Sequence, residues 1–373
     1  MNKVALISTY LPTKCGIASY SHGLINCLLK NSSDFDIQEI ELNISENDKI
    51  SPKRKVIEEA DKESFLNICG YLNSNAVDIV DIQHEFKIYG KPDGENLNTL
   101  LDNISKPIVS TLHTVNPELP EKREVVFSKL VNRSDAIFVF SSESKEYLIS
   151  KYKITALKIE VIPHGVPEID FTEPIQNSER TGFPEIVFIS TGYMRNTKGY
   201  EIALQALTKI KSVIPKFQYL IVGSNHPRNE TAQDYRKEIL NQINDLSLVD
   251  NVKVIGEYQT QDELIKLIQL ADVCLVPYTR KEQSSSGVLA LMLASGRPIV
   301  STPFQFASSI INNKSGVLSN SFQASDFSDA ILAIMDKREH WSEIMLHNHQ
   351  LGSSWSWDNV AQKYLNKYRQ LIP

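Results

Sequence analysis

The stretch Glu282–Thr302, "EQSSSGVLALMLASGRPIVST", decides the fold prediction. Three serines and a glycine stand before a run that is apolar on every face, and such a helix must be buried. The run ends at a Gly-Arg-Pro turn and passes into the short apolar segment "PIVST". A buried helix that leads directly into an apolar strand is typical of the units that build a parallel sheet.

The start of this helix supports two readings. Serine side chains can cap the free N–H groups of a first turn, which makes the segment a capped core helix. A helix start with uncapped N–H groups and small side chains is also an anion site, and phosphate is its usual occupant. On this stretch alone the capped core helix is the more common case.

The same alternation of apolar runs and helical periods extends outward in both directions. In the first half the predicted strands are "KVALIS", "IQEIEL", "VDIVDIQH", "PIVSTLH", "AIFVFS" and "IEVIPHG", with helices predicted over Ile17–Leu29 and Val56–Leu72. The second half shows the same alternation, and its predicted strands are "EIVFISTG", "QYLIVGS", "VKVIGEY", "VCLVPY" and "PIVST". This pattern predicts an α/β protein of two tandem, doubly wound, Rossmann-like domains.

The predicted domain boundaries follow changes in composition. Residues 1–168 form the first domain, and a stretch rich in proline, charge and turn formers at 169–184 forms the linker. Residues 185–352 form the second domain. Residues 353–373 form a final helix, on which Trp357, Val360, Ala361, Tyr364 and Tyr368 share one face.

Composition excludes several classes of protein. The formal net charge is −6 with no basic block, which argues against nucleic acid as the main partner. The four cysteines lack CxxC spacing and indicate free thiols in a reducing compartment. No stretch approaches the roughly 18 apolar residues of a membrane span, and the N-terminus reads as a strand and not as a signal peptide. These features predict a cytoplasmic protein.

Ligands of doubly wound sheets bind at the carboxyl ends of the strands, which directs attention to the loops there. In the first half, Gly16 lies between a strand and a helix, where a plain turn is equally common. His84, His113 and His164 each fall at a strand end, and we expect them to converge on one crevice. The alternative for each is a structural histidine.

In the second half, Arg195 and Lys198 follow the first strand, in "STGYMRNTKGYEIALQAL". They would face the helix start at Ser284–Gly287 across the same sheet edge. A cation opposite a helix N-terminus suits a diphosphate, because the cation adds charge to fixed N–H donors. The alternative is a solvated loop lysine.

These motifs resemble the retaining glycosyltransferases of the GT-B fold, glycosyltransferase family four, over nearly the whole chain. "TYLPTKCGIASY" is similar to the acceptor-side glycine loop, "STLHTV" to the strand end with the active-site histidine, and "GYMRNTKG" to the basic loop that binds the donor diphosphate. The resemblance implies that His113, Lys198 and Arg195 are catalytic and that the last helix packs back on the first domain. It implies a donor-binding set of Gly16, His84, Tyr193, Gly223, Glu282, Gln283, Ser284, Ser285, Ser286, Gly287 and Val288.

The chain departs from the family pattern at two places. The glutamate that usually holds the ribose falls on Leu291, while the first glutamate of the motif falls on Gln283, next to Glu282. The arginine common in the basic loop is Tyr193.

The resemblance implies transfer of a sugar from a nucleotide diphosphate sugar, such as a UDP- or GDP-sugar, to a hydroxyl of a glycan, a lipid-linked molecule or a small molecule. Anomeric configuration would be retained, with no cofactor and no metal; the lone Asp-x-Asp, Asp34–Asp36, reads as a surface loop. A lipid-linked acceptor would bring the protein to the inner face of the membrane. Two alternatives stay open: a two-lobed sugar-binding protein without catalysis, and an inactive, regulatory member that binds nucleotide sugars.

Overall fold

The computed structural model describes residues 1–44, 51–90, 92–173, 186–225 and 231–372. The chain forms two compact units: Met1–Pro167 together with Ser356–Pro373, and Glu168–Trp355. Each unit is built on one parallel sheet flanked by helices. Most of the predicted linker, residues 174–184, lies outside the described residues.

The N-terminal unit contains a seven-stranded parallel sheet in the order β3-β2-β1-β4-β5-β6-β7. Its central strands are buried along their whole length, as strands of parallel sheets are. The strand order reverses between β1 and β4. The strands are β1 (Asn2–Ser8), β2 (Phe35–Asn43), β3 (Lys55–Glu58), β4 (Ile79–His84), β5 (Ile108–Leu112), β6 (Ala136–Val139) and β7 (Ile159–Val161).

The helices of this unit are α1 (Gly16–Asn31), α2 (Lys62–Leu72), α3 (Leu97–Asn103), α4 (Glu121–Arg133), α5 (Ser142–Tyr152) and the last helix of the chain, α13 (Trp357–Leu371). The predicted start of α2 at Val56 is wrong. Residues 55–58 instead pair with β2 as an edge strand, which buries Ile57. The helix begins only after Asp61, whose side chain caps the N–H of Glu63.

Helix α13 packs against α1 within the N-terminal unit, as predicted. Its buried face carries Trp357, Val360, Ala361, Tyr364, Leu365 and Tyr368. Two glycines make room for the indole of Trp357: a Cβ on Gly23 would lie 2.3 Å from Trp357 Cε2, and a Cβ on Gly165 would lie 2.1 Å from Trp357 Cε3.

The C-terminal unit contains a six-stranded parallel sheet in the order β10-β9-β8-β11-β12-β13, which reverses between β8 and β11. The strands are β8 (Ile186–Thr191), β9 (Phe217–Val222), β10 (Val252–Ile255), β11 (Val273–Val276), β12 (Ile299–Ser301) and β13 (Gly316–Leu318), the last of which the sequence did not predict. The helices are α6 (Tyr200–Ile210), α7 (Ala232–Asp245), α8 (Gln261–Leu270), α9 (Gly287–Ala294), α10 (Gln305–Ile310), α11 (Ala324–Met335) and α12 (Trp341–Ser353).

Helix α9 is the apolar helix of the opening stretch, and every residue of Leu289–Ala294 is buried. Helix α12 covers it closely, since a Cβ on Gly352 would lie 2.3 Å from the Cα of Ala294. The two doubly wound sheets confirm the predicted fold class. Within the described part of the chain, no helix has the length and hydropathy required to cross a membrane.

Candidate functional site

The loops that follow β8 and β11 lie at the point where the strand order of the C-terminal sheet reverses. Residues 192–199 follow β8 and residues 277–286 follow β11, and these two strands are neighbours in the sheet. The carboxyl edge at such a reversal is where doubly wound sheets bind ligands. The structure therefore brings the predicted basic loop and the predicted serine-rich helix start to one edge.

Glycines allow these loops to pack tightly around Lys198. Gly192 has a φ of +140°, and a Cβ there would lie 2.7 Å from Lys198 Cε. Gly199 has a φ of +63°, and a Cβ there would lie 1.9 Å from the carbonyl oxygen of Pro277. Gly223 is buried, and a Cβ would lie 2.4 Å from the carbonyl oxygen of Gly192. The lack of a side chain at Gly223 thus has a packing reason, and its contact with a donor stays a prediction.

The amine of Lys198 lies over an aromatic ring. Its Nζ is 3.8 Å from the ring centroid of Tyr278, and that ring stacks on Phe304 with 5.1 Å between centroids. Within the described residues no carboxylate lies at ion-pair distance from this Nζ. A cation–π contact orients the ammonium without neutralising its charge. That Lys198 binds an anion stays a prediction.

The first turn of α9 contains both capped and uncapped N–H groups. The Ser286 side chain caps the helix, because its Oγ accepts from the N–H of Leu289 at 3.2 Å. The N–H groups of Gly287 and Val288 have no acceptor among the described residues. Two donors of the first turn thus remain available to an anion.

The loop before α9 is held by its own hydrogen bonds. Gln283 Nε2 donates to the carbonyl oxygen of Ser285 at 3.0 Å, and the N–H of Phe306 donates to the carbonyl oxygen of Gln283 at 3.0 Å. Ser284 is buried, and Glu282 and Ser285 are partly buried. Gln283 is thus engaged in shaping the loop.

The sequence did not predict two hydroxyls at this edge. Those of Thr191, the last residue of β8, and Tyr278 are buried and have no hydrogen-bond partner among the described residues. A buried hydroxyl without a partner costs free energy, so such groups point to a ligand or ordered water. The sequence shows only a polar residue at or just beyond the end of each strand, and the missing hydrogen-bond partner is visible only in the packing.

Two further predicted positions, Tyr193 and Arg195, lie in the loop after β8. Tyr193 and Arg195 are partly buried on either side of the buried Met194, whose N–H donates to the carbonyl oxygen of Ser224 at 2.9 Å. Leu291 is 6% exposed within apolar α9. It offers no group that could bind a ribose hydroxyl.

In the N-terminal unit, Gly16 begins α1 beside the reversal between β1 and β4. Cys15 caps this helix, with its Sγ accepting from the N–H of Ala18 at 3.3 Å. A Cβ on Gly16 would meet nothing within 4 Å, so the space above it is open. Arg54 anchors the preceding loop, since its guanidinium donates to the carbonyl oxygen of Leu11 at 2.9 Å and lies 4.6 Å from the ring centroid of Tyr10.

Two of the three strand-end histidines share one aromatic cluster. The ring of Tyr20 lies edge-on to His113, with 4.7 Å between centroids, and to His164, with 5.2 Å between centroids. Phe140 contacts both imidazoles. Burial lowers the pKa of His164 to about 4, and burial, reinforced by His164 and His84, lowers the pKa of His113 well below its usual value. Both rings are neutral at pH 7.

His84 does not join this cluster, so the expected convergence of three histidines is wrong. Its imidazole is fully buried against Phe86, Tyr89 and Phe127, and neither ring nitrogen has a partner among the described residues. Burial lowers its pKa to about 3. His84 is the last residue of β4, and its side chain faces the core beneath α4. This burial leaves no surface for the donor contact that the resemblance implies.

Comparison with known proteins identifies the family. Residues 184–337 match a family model described as glycosyl transferases group 1, and residues 93–168 match one described as Glycosyltransferase Family 4. The phosphatidyl-myo-inositol mannosyltransferase of Propionibacterium freudenreichii is 22% identical over 70% of this chain and 64% of its own length. The D-inositol 3-phosphate glycosyltransferase of Mycobacteroides abscessus is 23% identical over 73% of this chain and 62% of its own length. The matches span less than two thirds of these curated relatives.

Solved structures share the fold across the whole chain. The Anabaena protein Alr3699/HepE, crystallised with UDP and glucose, superposes with a TM-score of 0.78 at 16% identity, covering 100% of both chains. A sucrose-phosphate synthase from Thermosynechococcus elongatus gives 0.78 at 19% identity over 100% of this chain and 99% of its own. The fold defines a protein of the GT-B class. The two family models cover well over half of its residues, and the chain belongs to glycosyltransferase family four.

Proposed function

We propose that the protein transfers a sugar from a nucleotide diphosphate sugar to a hydroxyl acceptor with retention of anomeric configuration. One observation carries the proposal: at the strand-order reversal of the C-terminal sheet lie an ammonium with no counter-ion and two N–H donors with no acceptor among the described residues. Fixed N–H donors with an added cation suit a diphosphate. The buried hydroxyls of Thr191 and Tyr278 supply further polar groups at the same edge.

The relatives support both substrate classes. The Anabaena structures contain UDP, UDP with glucose, or UDP-glucose, which supports a UDP-sugar donor. The related mannosyltransferase is named for phosphatidyl-myo-inositol and the other relative for D-inositol 3-phosphate. We therefore propose a cyclic polyol or sugar hydroxyl, free or lipid-linked, as the acceptor. A lipid-linked acceptor would place the protein at a membrane surface.

The proposed chemistry is electrostatic. As the bond to the leaving diphosphate breaks, negative charge grows on its oxygens and positive charge grows on the sugar. Lys198, Arg195 and the N–H groups of Gly287 and Val288 stabilise the diphosphate charge without a divalent metal. His113 contacts the transferred sugar as a neutral ring, and no protein nucleophile takes part. Glu282 and Tyr193, in the same loops, are proposed to contact the donor.

The test is incubation with UDP- and GDP-sugars, each with myo-inositol, inositol phosphate or vesicles containing phosphatidylinositol. We expect nucleoside diphosphate release that depends on the acceptor, and a product whose anomeric proton has the donor's configuration by NMR. An inverted product would contradict retention. Tight binding of a nucleotide sugar without turnover across the panel would favour the non-catalytic alternative.

A further inference from the structure

A buried chain of hydrogen bonds leads from Asp81 to His113 in the N-terminal unit. Asp81 and Gln83, both on β4, are fully buried, and His113, just beyond β5, is 6% exposed. Gln83 Nε2 donates to Asp81 Oδ1 at 2.8 Å, and Gln83 Oε1 lies 3.0 Å from His113 Nε2. Of these three residues, only His113 has exposed surface through which it could contact a substrate.

The carboxylate of Asp81 determines which way the Gln83 amide points. Burial raises the pKa of Asp81 to about 7, and once this carboxyl is ionised its oxygens only accept, so the amide NH2 group must face it. The same Nε2 also donates to Thr111 Oγ1 at 3.2 Å. The amide oxygen then faces His113. Because this oxygen can only accept, the hydrogen of the imidazole must sit on Nε2.

Other buried groups fix the ends of this chain. The hydroxyl of Tyr368, on α13, donates to Asp81 Oδ2 at 2.6 Å. Tyr364, one turn earlier, lies 2.6 Å from Thr111 Oγ1 and 3.1 Å from the hydroxyl of Tyr20, whose ring contacts His113 edge-on. These contacts fix the orientation of the Gln83 amide and of the His113 ring.

We propose that Gln83, anchored by Asp81, is a positioning residue that holds His113 in its neutral form with the hydrogen on Nε2. Asp81 orients the Gln83 amide, and the amide in turn orients the imidazole of His113. Because the amide lies between them, the carboxylate does not contact the imidazole. Direct contact with a carboxylate would favour an imidazolium. A neutral ring suits a group beside a sugar that itself becomes positive in the transition state. This role rests on the proposed function, whereas the protonation state does not.

Nitrogen-15 NMR of histidine-labelled protein tests the protonation state in the wild type without turnover. The His113 signals are identified by their absence from His113→Gln. At about pH 8.5, where Asp81 is ionised, we expect a protonated Nε2 and an unprotonated Nδ1. A protonated Nδ1, alone or in an imidazolium, would overturn the proposal even if no Gln83 variant folds.

Variants test the positioning role. Gln83→Met should abolish the preference for the Nε2 hydrogen. It should lower kcat about tenfold to a hundredfold while the KM for donor changes by less than about twofold. Ser110→Ala is the matched control, because it removes a buried hydroxyl on β5 that contacts Ser134 and not the network around Gln83. It should keep both the wild-type spectrum and kcat.

The outcomes separate the two proposals. If Gln83→Met keeps the wild-type spectrum, or if Ser110→Ala loses kcat equally, Gln83 has no positioning role. If the spectra behave as expected but no donor supports transfer, the protonation state stands and the proposed function fails.

Discussion

His84 illustrates how burial decides the behaviour of a titratable side chain. Its ring is surrounded by Phe86, Tyr89 and Phe127 and has no hydrogen-bond partner among the described residues. Charging it there would place an uncompensated cation in the core, which is why its pKa falls to about 3. In the unfolded chain the same imidazole titrates near 6.5. The difference links protein stability to pH.

We predict that His84→Leu becomes more stable relative to wild type as the pH falls. Between pH 7 and pH 4 the unfolded wild type binds a proton at His84 that the folded state does not, so the wild type loses stability by roughly 3 kcal/mol. The leucine variant lacks this loss, and its transfer activity should equal that of wild type. Urea unfolding at several pH values measures the difference, and a gap that does not change with pH would contradict it.

His84 and His113 also show what sequence alone resolves at single residues. Both follow apolar runs at strand ends, and the pattern predicted both positions at the edge of the sheet. Whether a side chain there faces the core or the crevice depends on one residue of register and on the helix packed above. Phe127 of α4 covers His84, while His113 lies one residue beyond its strand. Neither fact could be read from one sequence.

At the scale of elements, the packing of α13 on α1 depends on the space left by glycine. The indole of Trp357 fills the volume where side chains at Gly23 and Gly165 would otherwise stand. The neighbouring hydroxyls of Tyr364 and Tyr368 enter the buried network around Asp81. This helix therefore supports the N-terminal strand ends as well as the core.

We predict that Gly23→Ala lowers the free energy of unfolding by about 1 to 3 kcal/mol, because the new methyl group overlaps Trp357. Gly70→Ala is the matched control on exposed α2, where a Cβ meets nothing within 4 Å. It should stabilise by about 0.5 to 1 kcal/mol. Calorimetric or chemical unfolding measures both changes. Equal effects at the two glycines would refute the packing argument.

A double variant sharpens this prediction. Gly23→Ala combined with Trp357→Leu should cost less than the sum of the two single changes, because the smaller side chain leaves room for the methyl group. Strict additivity would show that the overlap does not occur.

The elements that escaped prediction are short. Strand β13 has three residues and β3 has four, too few to show alternation, and both lie at sheet edges. The long periodic segments were predicted well: α1 begins at Gly16 where Ile17 was expected, and the buried face of α13 is the predicted one. A helix buried on one face over several turns has apolar residues at helical spacing in its sequence. A three-residue edge strand is too short to show any periodic pattern.

At the scale of the whole molecule, each unit is a doubly wound sheet with one reversal of strand order. Gly16 lies beside the reversal of the N-terminal sheet, and Lys198 and the start of α9 lie beside that of the C-terminal sheet. The strand-loop-helix order was sufficient to predict the positions of Gly16, Lys198 and α9. The buried hydroxyls of Thr191 and Tyr278 required three dimensions, because only packing shows that a polar atom lacks a partner.

We predict that transfer does not require a divalent metal. Lys198, Arg195 and the start of α9 supply the positive charge that a metal would otherwise bring to the leaving diphosphate. After exhaustive chelation with EDTA and gel filtration, initial rates should stay within about twofold of the untreated protein. A rate that collapses and returns on addition of Mg²⁺ or Mn²⁺ would contradict this.

The central claim is that Lys198 and the start of α9 together bind the donor diphosphate. The most direct test is calorimetric titration of UDP and GDP at fixed salt into wild type, Lys198→Ala and Lys216→Ala, the last being an exposed lysine before β9. Loss of a charge-assisted bond of about 1.5 to 3 kcal/mol should weaken the Lys198→Ala affinity for the preferred nucleotide roughly tenfold to a hundredfold. Lys216→Ala should bind like wild type, and both unliganded variants should melt near the wild-type Tm. Equal affinity of Lys198→Ala and wild type would contradict the claim.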